Sequence, residues 1–123
     1  MVVTSTFTFA KRAFDDEFHA LDEVIAAAAR ATPGYLGEES WENPSNGQVS
    51  NVYYWDSMDA LQALMAHPAH RAAKQRQQQW LAGYQVVVAQ VLRSYGDGGL
   101  AHPLAGRALP ASEPVERAAT SVE

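Results

Sequence analysis

Hydrophobic and polar residues alternate strictly over residues 2–9. One face of this stretch carries Val3, Ser5, Phe7 and Phe9, whereas the other carries Val2 followed by three threonines. Such alternation of β-branched and aromatic types predicts a strand. From Ala13 to about Ala31 the apolar positions recur at helical spacing, and acidic residues crowd the start, where they favour the positive end of a helix dipole. A strand followed by a helix is therefore expected.

A predicted hairpin follows this helix. The sequence Thr32-Pro33-Gly34 ends the helix, because proline cannot continue the ladder of backbone hydrogen bonds. A second strand is predicted over residues 35–42 and a third over 48–55. Between them, residues 43–47 read Asn-Pro-Ser-Asn-Gly, a cluster of turn formers.

The next elements are a helix in two parts and a last strand. Asp56-Ser57 can cap a helix that starts at Met58, and His67-Pro68 predicts a kink or break before a second helical part from Ala69 to about Leu81. Gly83 marks the expected exit. Residues 84–95 are rich in valine and nearly uncharged, as is typical of a central or interface strand.

The resulting order βαββαβ predicts an α+β domain of the ferredoxin-like type, with a four-stranded antiparallel sheet. A length of 123 residues fits one domain. From Gly96 the composition changes to glycine, proline, alanine and serine with scattered leucines. We therefore predict a domain over residues 1–95 and a tail over residues 96–123.

Charge and composition narrow the classes of partner. The formal charge is -5, and nucleic-acid binders usually present a basic face, so we expect no nucleic-acid partner. The chain has no cysteine, which excludes disulfides and thiolate metal sites. The first 14 residues lack a basic segment ahead of an apolar run. We expect a cytoplasmic protein without membrane association.

Self-association is predicted from the sheet itself. Two helices cover one face of a βαββαβ sheet, and the other face must still carry Trp, Tyr, Phe or Val side chains. An exposed apolar sheet of that area is expected to pack against a second copy, which gives a homodimer. A monomer whose second face is covered by the tail is the alternative.

Several short motifs together resemble the antibiotic biosynthesis monooxygenase superfamily. They are residues 33–37 (PGYLG) entering the second strand, Tyr54-Trp55 closing the third, residues 57–61 (SMDAL) opening a helix, and residues 67–74 (HPAHRAAK) followed by Trp80 and Tyr84. The resemblance covers residues 3–95. It implies a dimeric α/β barrel, with a pocket between each sheet and its helices or at the barrel mouth.

The spacing of Asn51 and Trp55 resembles the cofactor-free, quinone-forming branch of this superfamily. Four residues apart on one strand, the two side chains share a face with Tyr53 between them. The resemblance implies that they hold a phenolic or polycyclic aromatic substrate and stabilise its anion beside dioxygen, without a cofactor. The residues alone leave open that Tyr53 and Trp55 only pack and that Asn51 caps a hairpin edge.

Arg76, His70 and His67 are the candidates for assisting polar groups, with Arg76 in a cationic role, His70 in catalysis and His67 in substrate binding. The catalytic tyrosine of that branch falls near Leu61 here, which leaves its proton relay without a counterpart. Trp80 and Tyr84 form an aromatic anchor beside a polar helix face and are candidates for substrate contact. Glu38, Glu39 and Glu42 could include a general base, although a solvent-exposed charged strand is the simpler interpretation.

His67 and His70 could bind a proton, an anion or a metal, but two histidines are too few for a specific metal site. We expect His67 to cap a helix and His70 to lie at its surface or at the pocket rim. A heme-binding or heme-degrading enzyme is the first alternative. The resemblance places Ser5, Leu64 and Lys74 where that branch has its asparagine, tryptophan and histidine. A noncatalytic dimeric ligand-binding domain is the second alternative.

Overall fold

The computed structural model describes residues 1–11 and 14–109 and shows a four-stranded sheet with three helices on one face. In chain order the elements are β1 (Val3–Lys11), α1 (Asp16–Ala31), β2 (Tyr35–Glu42), β3 (Val49–Trp55), α2 (Met58–Met65), α3 (Pro68–Trp80) and β4 (Leu81–Gln90). The strands run antiparallel in the order β2-β3-β1-β4. The predicted ferredoxin-like α+β fold is confirmed.

The register of the strands decides which side chains face the helices. Val3 pairs with Trp55, Ser5 with Tyr53 and Phe7 with Asn51. Since side chains alternate between the two faces of a sheet, these residues share the face that the helices cover. The neighbouring threonines of β1, together with Tyr54, lie on the opposite, open face.

The helices begin at side-chain caps. The carboxylate of Asp15 accepts from the backbone N–H of Phe18, and the hydroxyl of Ser57 accepts from that of Ala60. The predicted start of α1 at Ala13 is wrong, because Asp15 caps a helix that begins at Asp16; Ala13 itself lies outside the described residues. Within the described ranges, no helix is long and apolar enough to cross a lipid bilayer.

The fourth strand differs from its prediction in its bounds and in its position within the sheet. It starts at Leu81, directly after Trp80 ends α3, so that Gly83 lies inside the strand. It ends at Gln90 instead of residue 95, because its one neighbour, β1, begins at Val3, and beyond the bond from Val91 N–H to the Val2 carbonyl only Met1 remains on that side. Within this chain β4 lies at the edge of the sheet, so the prediction of a central position is wrong. Its predicted role as an interface strand stays a prediction.

The core under the helices centres on Trp55, which is fully buried. It packs with Val3, Ala29, Leu61 and Leu64, which all lie at or below 7% exposure. A second apolar cluster at the other end of the same face contains Phe9, Trp80 and Leu81. The two clusters fix α1, α2 and α3 over the sheet.

The open face is partly covered by residues 94–109, here called the C-terminal strap. Leu104 of the strap is 4% exposed and packs against Val2 and Tyr54. Ser94 and Leu109 close the strap through a pair of backbone hydrogen bonds. Gly37 of β2 has a φ of +149°, a value that L residues rarely adopt. A Cβ added at this position would lie 2.7 Å from the Cβ of Pro103. The strap thus packs closely on the sheet, whereas the predicted domain boundary at residue 95 stays a prediction.

Candidate functional site

Polar side chains of β2 and β3 lie together on the helix-covered face of the sheet, in a region around Ser40, Asn51 and Tyr53 that is here called the cleft. Ser40 lies opposite Asn51 in the register, and its hydroxyl donates to Asn51 Oδ1 at 2.7 Å. Because the carbonyl oxygen of the amide is occupied, Asn51 Nδ2 is left as a donor, and it has no hydrogen-bond partner among the described residues. Asn51 is half-buried and accessible to a ligand from the cleft.

Trp55 lies beneath this cleft, and its indole N–H is already bonded. Trp55 Nε1 donates to Ser5 Oγ at 3.1 Å, and the ring is 0% exposed. The bond explains a serine among the apolar residues of β1, since a buried indole N–H needs an acceptor. Trp55 therefore supports the floor of the cleft, and its direct contact with a substrate stays a prediction.

Tyr53 lies between Asn51 and Trp55 and has a strongly perturbed hydroxyl. Burial, reinforced by the nearby carboxylates of Glu38 and Asp22, raises the pKa of Tyr53 to about 12. Its ring stacks with that of Trp55 at 6.0 Å between centroids. Tyr53 is consequently a neutral hydroxyl at physiological pH, able to donate a hydrogen bond.

Glu38, directly opposite Tyr53 in the register, is held by two donors. Its Oε1 accepts from Arg30 Nε at 3.1 Å and from the Tyr35 hydroxyl at 2.8 Å. The Glu38 side chain is 29% exposed, and the Glu39 side chain, on the opposite face, is 19% exposed. The expectation of a fully exposed acidic strand is therefore wrong for both, because each carboxylate packs beside a tyrosine; Glu42 is exposed as expected.

Asp22 of α1 is a second carboxylate on this side of the sheet. Burial raises the pKa of the Asp22 carboxyl, and the negative charge of Glu38 adds to the effect. Asp22 is nevertheless exposed to solvent on α1. A carboxylate with these properties can take a proton beside the cleft and release it to water.

Arg76, Trp80 and Tyr84 come together at the other end of the helix-covered face. The Arg76 guanidinium donates to both carboxylate oxygens of Glu17, at 2.9 and 3.2 Å, and lies 4.7 Å from the Trp80 ring. The Tyr84 ring is 5.7 Å from that of Phe7, the residue opposite Asn51. Arg76, Trp80 and Tyr84 thus lie on the same helix-covered side of the sheet as Asn51.

His67 and His70 lie at the junction of α2 and α3. His67 caps α3, since its Nδ1 accepts from the backbone N–H of Ala69 at 3.0 Å. His70 is half-buried, and burial lowers the pKa of its imidazole, with a further contribution from Lys74. No described hydrogen bond or ring contact joins either histidine to Asn51, Tyr53 or Trp55. Their roles in a site stay predictions.

The residues that the heme-degrading resemblance aligns do not fit heme. Leu64 is buried in the core around Trp55, and Ser5 is occupied by the Trp55 indole. Lys74 stands exposed where the ligating histidine would be. Across residues 1–11 and 14–109, no three His, Asp or Glu side chains are grouped to hold a metal ion.

A separate groove of about 440 Å³ lies at the end of the β2–β3 hairpin. Its lining includes Trp41, Asn43 and Gln48, and of the candidate residues named from the sequence it contains Glu42. The groove is open to solvent and carries no titratable group apart from the exposed Glu42. The chemistry of the helix-covered cleft makes that cleft the better candidate site.

Several residues of the cleft were not predicted as site residues: Ser5, Asp22, Arg30, Tyr35 and Ser40. Ser5 gave a signal in the sequence, because it is the one polar residue among the odd positions from 3 to 9. The network of Arg30 and Tyr35 with Glu38 gave none, since it depends on how α1 crosses the sheet.

Comparisons with known proteins agree with the fold. A sequence model described as "Antibiotic biosynthesis monooxygenase" matches residues 1–76. The uncharacterized protein YqjZ of Bacillus subtilis is 36% identical over 88 residues, which cover 71% of this chain and 76% of YqjZ.

Two solved structures share the fold at low sequence identity. Rv0793 from Mycobacterium tuberculosis superposes with a TM-score of 0.66 at 18% identity, covering 78% of this chain and 100% of Rv0793. SnoaB, a cofactor-independent oxygenase from Streptomyces nogalater, superposes with a TM-score of 0.62 at 16% identity, covering 76% of this chain and 95% of SnoaB.

Proposed function

The chain belongs to the antibiotic biosynthesis monooxygenase family, and from this premise we propose that it oxidises a phenolic, polycyclic aromatic compound with dioxygen and without a cofactor. The likeness of its fold to SnoaB supports chemistry of this class. Fold alone does not fix a reaction, so the proposal depends on the side chains of the cleft.

The observation that carries the proposal is the Asn51 amide. Ser40 holds its oxygen, which turns Nδ2 toward any acceptor that enters the cleft. Tyr53, which remains protonated because its pKa is about 12, lies two residues away on the same face. These donors suit a phenolate oxygen, whose negative charge they would stabilise.

The proposed reaction requires deprotonation of the substrate. The proton passes to the carboxylates beside Tyr53, of which Asp22 has the raised pKa and access to solvent. The Glu38 carboxylate accepts from Arg30 and Tyr35, and its negative charge helps to raise the pKa of Tyr53, so that Tyr53 keeps its own proton during this step.

The oxidation balances without a further reductant or oxidant. The deprotonated ring gives one electron to dioxygen, and the resulting radical and superoxide combine at the carbon opposite the phenolate oxygen. Protonation gives a hydroperoxide. Loss of water then breaks the O–O bond and removes the remaining hydrogen at that carbon, which becomes a carbonyl. One oxygen atom stays in the quinone and the other leaves as water.

The protein is also proposed to act as a homodimer through the open face of the sheet. Trp41 is 64% exposed and Val87 is 50% exposed on that face, in a region that the C-terminal strap leaves uncovered. Burial of such side chains against a second copy is favourable. Light scattering coupled to size exclusion should show a dimer, and Trp41→Glu should shift it toward monomer.

Oxygen uptake with an anthrone as substrate tests the reaction. We expect the wild-type protein to consume one dioxygen per quinone formed and Asn51→Ala to lower kcat by about 100-fold or more. Ser40→Ala, which only releases the amide, should have a smaller effect. Unchanged turnover in folded Asn51→Ala and Trp55→Phe variants would show that the site is assigned wrongly.

Two further outcomes separate the alternative functions. A saturable Soret shift on adding hemin, lost in His67→Ala or His70→Ala, would favour heme chemistry instead. Binding of the anthrone without oxygen uptake would favour a noncatalytic ligand-binding protein.

A further inference from the structure

Trp80 carries a buried hydrogen-bond donor without an acceptor. The residue is 4% exposed, and its Nε1 has no hydrogen-bond partner among the described residues. Buried indole N–H groups usually find a partner, because an unsatisfied buried donor is destabilising. Either the protein tolerates the free-energy cost of this unbonded N–H, or a bound ligand supplies the missing acceptor.

The side chains around Trp80 cannot complete it. The ring packs edge-on against Phe18 and belongs to an apolar cluster that also contains Phe7, Phe9, Leu21, Val49 and Leu81. Arg76, which lies over the ring, has only donors and is already bonded to Glu17 and Gln79. A lone water is a poor substitute, because a buried water needs two or more polar partners and the other members of this cluster are apolar.

The same apolar surface extends from Trp80 to Asn51. Phe7 packs on the Trp80 cluster and is the register partner of Asn51, and Val49 precedes Asn51 by two residues on the same face of β3. Phe7, Phe18 and Leu21 are only partly buried, so this cluster is not sealed from the cleft. Two unpaired N–H donors thus lie on the same helix-covered face, with Asn51 half-buried and Trp80 Nε1 buried in the neighbouring aromatic cluster.

We infer that Trp80 Nε1 and Asn51 Nδ2 act as a pair of donors that select a flat aromatic ligand with acceptor oxygens at two separated positions. This inference rests on the proposed function for its ligand class and adds the specificity: phenolate, ketone or quinone oxygens are bound, and the oxygen-free hydrocarbon is not. Trp80 is a specificity-determining residue that contacts the oxygen remote from Asn51.

Two probes of the same shape test the inference by binding alone. Anthraquinone-2-sulfonate carries two carbonyl oxygens that anthracene-2-sulfonate lacks. We expect the quinone to bind at least tenfold more tightly, and Trp80→Phe to reduce that preference about three- to tenfold, as expected for one hydrogen bond. The ratio corrects for altered packing, since a smaller ring at position 80 affects both probes. Trp41→Phe, which replaces an exposed indole, should leave the ratio unchanged.

An NMR measurement on the unmodified protein supplies an independent readout. The three indole N–H groups belong to Trp41, Trp55 and Trp80, and Trp80→Phe assigns its signal. Saturation with the quinone should move the Trp80 signal downfield relative to its position with the hydrocarbon, which produces a similar ring current. The Trp55 signal, bonded to Ser5, should differ little between the two probes.

The outcomes separate this inference from the proposed function. Equal binding of the two probes, an unmoved Trp80 signal, or failure of both probes to bind would overturn the donor pair, even if anthrone oxidation is observed. A quinone preference that depends on Trp80 in a protein that consumes no oxygen would support the donor pair and overturn the oxygenase.

Discussion

Tyr53 and Tyr54 are consecutive residues whose side chains lie on opposite faces of the sheet. Each lies beside a glutamate of β2. Tyr53 faces the cleft beside Glu38, whereas Tyr54 faces the strap and donates to Glu39 at 3.1 Å. Each carboxylate lies beside a basic side chain, that of Arg30 on the helix-covered face and that of His102 of the strap on the open face. A tyrosine, a glutamate and a basic side chain thus meet on both sides of β2 and β3.

The difference between the faces lies in what completes each arrangement. On the open face, the strap fills the space over Tyr54 with Leu104, and His102 Nδ1 accepts from the backbone N–H of Leu104. On the helix-covered face, Asn51 keeps an amide donor unbonded among the described residues. Similar polar groups therefore support packing on one face and leave a binding surface on the other.

The largest expected effect is on the helix-covered face, where Trp55 fills the core. Trp55→Ala should lower the free energy of unfolding by about 3–5 kcal/mol, because a fully buried indole is lost and a cavity remains. Urea denaturation followed by circular dichroism measures the change. Val24→Ala, at an exposed position of α1, should stay within about 0.5 kcal/mol. Equal effects of the two variants would contradict the assigned core.

The strap should contribute less than the core. Leu104→Ala should lower the free energy of unfolding by about 2–3 kcal/mol, since Leu104 is buried against Val2 and Tyr54. Leu100→Ala is the matched control, because Leu100 lies in the same segment but is 76% exposed. If both variants are as stable as the wild type, the strap does not pack on the sheet as described.

The two tyrosines should titrate alike in spite of their different faces. Burial is the main cause that raises the pKa of each to about 12, so the folded state retains both protons more strongly than the unfolded chain. The stability from this term is present below about pH 10 and is lost as the pH rises from there toward 12. Ultraviolet titration of Tyr53→Phe and Tyr54→Phe should each remove one late ionisation. Ionisation of either tyrosine near pH 10 in the folded protein would contradict its burial.

The smallest effect is expected at His70, on the helices above the cleft. Because burial lowers the pKa of His70, the folded state binds its proton less strongly than the unfolded chain does. This contribution to stability is present above about pH 6.5 and declines as the pH falls through the lowered pKa. His70→Gln should therefore show a weaker loss of stability between pH 7 and 5. An identical pH dependence in thermal unfolding would contradict the assigned burial.

The sequence predicted most of the fold because the alternating and helical periods are local. Proline and glycine at 33–34 and the turn residues at 43–47 placed the hairpin, and β2 was predicted with its observed bounds. The fourth strand was harder to predict. Valines favour a strand without telling an edge from a centre, and its length depends on where β1 begins.

The candidate site was predicted only in part, for a similar reason. Spacing on one strand indicated that Asn51, Tyr53 and Trp55 share a face. It could not show that Ser5 takes the Trp55 N–H or that Arg30 reaches Glu38 from α1, since such contacts depend on packing between distant segments. The unsatisfied Trp80 indole is equally a property of three dimensions.

The direct junction of α3 and β4 limits where residues can be inserted into this chain. With no loop between Trp80 and Leu81, an inserted residue would turn the indole by about 100° around the helix axis or exchange the two faces of the strand. The exposed turn at residues 43–47 could absorb the same insertion at its tip. Relatives with this cleft should therefore vary in length at the hairpin and keep the helix-to-strand junction free of gaps.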